Sequence, residues 1–260
     1  MKTNKIFFRL WIAVAILISG LLLTPSCSNG NDDSVGSGNE EPGGGDEPGG
    51  GGDEPSTTLE VTITGSISHT DYDSSESGTV SFNRFPATVA EFQKVRDRIG
   101  GEPHGAVALQ VMAYEMYRRN ADIGTECIKL NNTTNNVNLA VSRLKELFGN
   151  DVNYARPYQM AAYLKDATWD NGYSPSKPYT VEVEVSKVHN YQYSNDYQNT
   201  VIYLNILTQG KPSGYDSVEV LKTSKPGEPS EGNYFIVLNC PGLYSQVRAI
   251  SFDTPFQGLD

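Results

Sequence analysis

The chain has 260 residues, 10% of them aromatic, with a formal net charge of −11 from 20 basic and 31 acidic side chains. An acidic balance without a basic stripe excludes a nucleic-acid partner, because binding to phosphates rests on clustered Lys and Arg. The three cysteines and three histidines are scattered, no nucleotide-binding fingerprint is present, and neither a metal nor a cofactor is predicted.

At the N-terminus Lys2, Lys5 and Arg9 precede the uncharged run LWIAVAILISGLLL, which ends in TPSC. This three-part pattern predicts an export signal over residues 1–26. The run is shorter than the ~20 residues a spanning helix requires. Its end, with Cys27 directly after Ser26, resembles a bacterial lipoprotein signal. The resemblance implies that Cys27 becomes the mature N-terminus, with a diacylglycerol on sulfur and usually an acyl chain on the amine. At about 0.8 kcal/mol per buried CH₂, two or three chains anchor a protein stably where one does not. Asp32 and Asp33 follow closely. They resemble the acidic export signal that sends some lipoproteins to the outer face of the outer membrane. The expected location is therefore the outer membrane, lipid-anchored through Cys27 and facing the cell exterior.

Residues 27–58 are rich in Gly, Pro, Asp and Glu, with the near-repeats EEPGGG, DEPGGGG and DEP. Such a segment cannot bury a core and reads as a disordered tether. About 30 glycine-rich residues span on the order of 30 Å, and like charges extend them further. Without the three cations of the leader the mature chain carries −14, and without the eight tether acids the remaining domain carries −6.

Residues 59–260 predict an α+β domain in three stretches. In 59–84, LEVTITGSI and TVSF flank the turn-rich SHTDYDSSESG and read as a β-hairpin. In 85–166 the period changes to helical. Thr88 and Glu91 form a capping box ahead of the stripe Val89, Phe92, Val95 and Ile99. The next helix, over about 103–119, is apolar nearly all round and should be central, with Glu115 at an exposed edge or paired with Arg118 or Arg119. ADIGTECIKL and NNVNLAVSRLKELFG predict two more helices, and PYQMAAYLKD a short last one starting at Pro157. In 167–260 the period becomes two. YTVEVEVSKV, TVIYLNIL, DSVEVL, NYFIVLNC and SQVRAI predict an antiparallel meander or small barrel of about five strands.

The run ATWDNGYSPSKPYTVEVEV, preceded by those helices and followed by GNYFIVLNCPGLYSQVRAI, resembles a family of uncharacterised domains of bacterial lipoproteins and other secreted bacterial proteins. In that family helices lead through an Asn-Gly-Tyr-x-Pro-x-x-Pro-Tyr motif into a small sheet. The matching positions are Asn171, Gly172, Tyr173, Pro175, Pro178 and Tyr179, and the resemblance covers roughly Phe85 to Ile250. It implies the fold and carries no activity. By its residues the motif reads as a rigid connector, a turn and two prolines covered by tyrosines. A ligand-contacting loop is the other reading.

Candidate chemistry is sparse. Cys127 and Cys240 are either a disulfide or two buried free thiols. Glu182 and Glu184 share a strand face, as glycosidase acids do, yet alternation makes that face the solvated one. The 71–77 segment DYDSSES offers oxygens to calcium but reads first as a polar turn. Trp169, Tyr173, Tyr191, Tyr193 and Tyr197 offer flat faces for sugar or peptide. The expectation is a non-enzymatic binding or structural domain whose partner is a glycan, a peptide or another envelope protein. The alternative is a glycan- or peptidoglycan-acting hydrolase with carboxylates brought together by the fold.

Overall fold

The computed structural model describes residues 58–149, 155–189, 200–223 and 234–259. The chain divides into two units, Met1–Gly52 and Asp53–Asp260, and all described residues belong to the second.

In chain order the elements are β1 (Val61–Ser66), β2 (Ser77–Phe82), α1 (Val89–Ile99), α2 (Pro103–Arg119), α3 (Ala121–Asn131), α4 (Thr134–Leu147), a 3₁₀ turn at Ala161–Tyr163, β3 (Tyr179–Val185), β4 (Val201–Leu207), β5 (Tyr215–Thr223) and β6 (Tyr234–Asn239). All six strands form one antiparallel sheet in the order β1-β2-β3-β4-β5-β6, curled into a half-barrel. The α+β expectation holds, and the strands of the second half follow the helices as the change of period predicts.

α1 starts as its sequence dictates: the Thr88 side chain accepts from the Glu91 N–H, and Glu91 accepts from the Ala87 N–H. α2 is buried along its length from Pro103 to Tyr117 and packs against strands β2 to β6, so the sheet wraps around it. A helix with no polar face has no other stable place in a domain of this size. The strands supply the matching surface. Val181, Val183 and Val185 of β3, Ile202, Leu204 and Ile206 of β4, and Val218 and Val220 of β5 are all buried.

Three sequence expectations change in detail. The N-terminal hairpin is not separate from the later strands: β2 pairs with β3 along its whole length, Phe82 opposite Tyr179 and Val80 opposite Val181. Four helices intervene in the chain between those partners, and the alternation of each strand carries no trace of the other. The helix expected from Pro157 is a run of turns with one 3₁₀ turn, and the strand expected at 245–250 is irregular. The first closes on itself through turn bonds, such as Ala162 N–H to the Tyr158 carbonyl and Leu164 N–H to the Ala161 carbonyl, and the second directs backbone groups to side chains instead of to a ladder. Gln159 donates to the carbonyls of Leu243 and Ser245 and accepts from the Val247 N–H.

Candidate functional site

A cavity of about 580 Å³ opens between the end of α4 and the segment that follows β6. Its volume falls within the ~300–1,000 Å³ usual for ligand pockets. Arg143, Glu146 and Leu147 form one wall, and Pro241, Tyr244 and Gln246 the other. α4 presents these residues because its buried stripe, Val137, Ala140, Leu144 and Leu147, faces inward and turns Arg143 and Glu146 to the rim. There the two pair at 3.0 Å.

The opposite wall is irregular backbone held in place by buried polar side chains. Besides the three hydrogen bonds of Gln159, the Tyr163 hydroxyl donates to the Gly242 carbonyl at 3.0 Å and to Asp216 Oδ2 at 2.5 Å. Lys211 Nζ donates to the Ser245 carbonyl, to Ser245 Oγ and to the Gln246 carbonyl, and lies 3.8 Å from Asp216. Gly242 makes the close approach possible, since a Cβ there would lie 2.3 Å from the Asp216 carboxyl carbon. Burial pushes the Asp216 carboxyl above its ordinary range against the hydrogen bond from Tyr163 and the charge of Lys211. Burial likewise lowers Lys211, with Asp216 opposing. Tyr163 and Asp216 thus belong to the frame behind the wall, and Tyr244 is the aromatic face of the cavity itself. Its ring is half-buried, 6.5 Å from that of Tyr114, and burial raises its hydroxyl above the ordinary phenol range.

The expected ligand contacts fare differently. Tyr173 is corrected: it is fully buried, stacked 5.3 Å from Tyr158, with its hydroxyl donating to the Arg248 carbonyl at 2.8 Å. It clamps the connector and offers no face to a ligand. The same loop is tied by Asn171, which accepts from Thr168 and Ser174 N–H groups and donates to the Asp166 and Ser174 carbonyls. Gly172 and Tyr173 then take φ of 68° and 53°, the left-handed region. Trp169 is half-buried, and the Arg248 guanidinium covers one of its faces at 3.4 Å from the ring centroid. Tyr191, Tyr193 and Tyr197 lie outside the described residues, as do Cys27, Asp32, Asp33, the export signal and the tether up to residue 57.

Of the two states left open for the remaining cysteines, the structure has two buried free thiols. Cys127 sits on α3, and Cys240 follows β6 with its sulfur 3.3 Å from the Tyr114 hydroxyl. Burial pushes both thiols up to about 12, so neither is a thiolate nucleophile at neutral pH. Glu182 pairs with Lys165 at 2.9 Å, and Glu184 accepts from Asn205 at 3.5 Å, so the two belong to a solvated strand face. Glu115 is fully buried and not at an edge, held by both Arg118 and Arg119. Among the described residues no three His, Cys, Asp or Glu side chains converge as a metal site would require.

The frame of Gln159, Tyr163, Lys211 and Asp216 was missed by sequence reasoning. Its members come from three segments, read as a helix (Gln159, Tyr163), a turn (Lys211) and the start of a strand (Asp216), and the one signal they carry is polar residues inside or beside apolar runs, as in PYQMAAY.

Among the described residues no helix is long and apolar enough to cross a membrane. No curated protein matches the chain, and no solved structure does. A family model described as Domain of unknown function (DUF6935) matches residues 84–251, from just after β2 through all four helices to the segment that closes the cavity. Since that match spans well over half of the 260 residues, the chain belongs to this family of domains of unknown function.

Proposed function

We propose that this protein is a lipid-anchored envelope protein, displayed on the outer membrane, whose tethered domain binds a glycan or peptide without turning it over. The observation that carries the binding reading is the cavity between α4 and the segment after β6. It has ligand-sized volume, an aromatic face in Tyr244, and a wall whose backbone is fixed before any ligand arrives. Preorganisation of that kind lowers the ordering cost that binding otherwise incurs. The anchoring part rests on the sequence alone: the three-part leader, Cys27 after a small-residue end, and Asp32 with Asp33.

The hydrolase reading finds less support. Glycoside hydrolysis uses two carboxyl groups about 5 to 9.5 Å apart. Among the described residues Glu146 is the one carboxylate lining the cavity, and Arg143 engages it. Asp216 lies behind the wall, committed to Tyr163 and Lys211.

The test is a thermal-shift series on the mature chain with peptidoglycan fragments, envelope glycans and short peptides. A ligand at 100 times its Kd adds about 2.7 kcal/mol, a shift of roughly 5–10 °C for a domain of this size. The expected result is such a shift with the ligand recovered intact. A ligand recovered cleaved contradicts the reading and restores the hydrolase.

A further inference from the structure

The cavity between α4 and the segment after β6 carries a pair of opposite charges on its rim. Arg143 and Glu146 stand one turn apart on α4 and meet at 3.0 Å, their side chains 52% and 64% exposed. Arg143 also lies near the aromatic wall: burial raises the Tyr244 hydroxyl, and the Arg143 charge opposes that rise. Leu147 and Pro241 continue the lining beside the ring. The described lining thus joins an aromatic ring and apolar surface to a charged couple that is neutral as a whole.

The backbone of the walls is already engaged. The Gly242 carbonyl accepts from the Tyr163 hydroxyl and from Ser245 Oγ, the Leu243 and Ser245 carbonyls accept from Gln159, and the Gln246 carbonyl accepts from Lys211. The N–H groups of Leu243 and Ser245 donate to the Cys240 and Gly242 carbonyls, and that of Val247 donates to Gln159. On the other side the Leu147 carbonyl, at the end of α4, accepts from the Arg156 N–H. Extended peptides are bound by adding to a strand edge, with main-chain hydrogen bonds supplying the affinity. Residues 241–245 are turns and not a strand, so this wall presents no such edge, and recognition falls to side chains.

The side chains present match one chemistry. An ionised carboxylate only accepts hydrogen bonds, a guanidinium only donates them, and a hydroxyl does both. Adjacent hydroxyls of a sugar ring satisfy Arg143 and Glu146 together without separating them, while the C–H face of the ring lies on Tyr244, where aromatic contact gives much area at little entropy cost. An anionic ligand meets the charge of Glu146 beside Arg143, and a cationic one meets Arg143 beside Glu146. Given that the cavity binds a ligand, as proposed above, we infer that this ligand is an uncharged glycan segment, with one sugar ring on Tyr244 and neighbouring hydroxyls bridging Arg143 and Glu146, and that peptides are excluded.

The test is titration of the mature chain with neutral hexasaccharides of glucose, mannose and galactose, with the matching uronate hexasaccharides, and with a pool of random hexapeptides. At least one neutral hexasaccharide is expected to bind, about tenfold or more tighter than its uronate. In Glu146→Gln, which changes a mostly exposed side chain, the neutral Kd is expected to rise about tenfold and the uronate Kd to fall, so that the preference narrows or reverses. A uronate bound as tightly as its neutral counterpart, or peptides bound without any neutral saccharide, overturns the glycan assignment; if Tyr244→Ala abolishes that binding, the cavity keeps its binding role. A preference unchanged in Glu146→Gln overturns the assignment as well. No binding by any of the three sets overturns the assignment and the binding role together.

Discussion

His104 sits in the first turn of α2, fully buried, with its ring against Gly78 of β2. Burial pushes its pKa down from 6.5 to about 4, only partly offset by the Thr64 backbone. The folded state therefore holds it neutral while the unfolded chain takes up a proton near pH 6.5. Stability from this residue is complete above pH 6.5 and is lost as the pH falls toward 4, by about 3 kcal/mol. Denaturant midpoints measured across that range are expected to show the slope in the native protein and not in His104→Gln. Glu91, which Arg84 and the Ala87 N–H hold down to about 2, acts in a lower window, losing its contribution as the pH falls from 4.5 to about 2. The two effects can be separated by pH alone. Tyr173 gives a second test. Tyr173→Phe removes the bond to the Arg248 carbonyl and is expected to cost about 1 kcal/mol, while Tyr173→Ala also opens a cavity and costs about 3–5 kcal/mol in urea unfolding. At this scale the sequence was informative where the partner is local, as for Thr88 and Glu91. It was silent where the partner is distant, as for Tyr163 and Asp216, 53 residues apart.

Among the elements, the clearest signals were periodic. The all-round apolarity of α2 and the strict alternation of YTVEVEV fixed a central helix and a one-sided strand, because burial of a whole face leaves a period in the sequence. Segments 157–164 and 245–250 misled for the opposite reason. They contain apolar residues at plausible spacing, but the first supplies the Gln159 side chain that, with Lys211, takes up the backbone groups of the second, which no periodicity records. Gln159→Ala is expected to leave the buried Val247 N–H without its acceptor and the Leu243 carbonyl without the Gln159 donor, while the Ser245 carbonyl keeps Lys211. The expected loss is about 2–3 kcal/mol. Hydrogen exchange at Val247 is expected to accelerate while the amides of β3 and β4 keep their protection; equal acceleration throughout would show that Gln159 supports the whole fold and not this wall.

For the whole molecule, the half-barrel closes on α2 only because β2 finds β3 across the four helices. The family match begins at residue 84, so the β1–β2 hairpin precedes the matched region even though it completes the sheet. Composition and the change of period foretold an α+β fold. They did not foretell that the hairpin joins the later strands, because strand pairing over nearly 100 residues is decided by the folded surface and not by either segment. The anchoring proposal is tested here too. Cys27→Ala is expected to abolish incorporation of labelled palmitate and to release the protein from the membrane fraction, and protease added to intact cells is expected to remove the native domain.

The binding proposal concerns one cavity, and Tyr244 is its half-buried aromatic wall outside the supporting frame. The most direct measurement is the melting temperature of native protein and of Tyr244→Ala, each with and without the peptidoglycan fragment or glycan that stabilises the native chain. The account predicts a ligand-induced shift of roughly 5–10 °C in the native protein, lost or nearly lost in the variant while its ligand-free melting stays within a few degrees. An undiminished shift in Tyr244→Ala, or no shift in the native protein with any fragment, glycan or peptide, would contradict it.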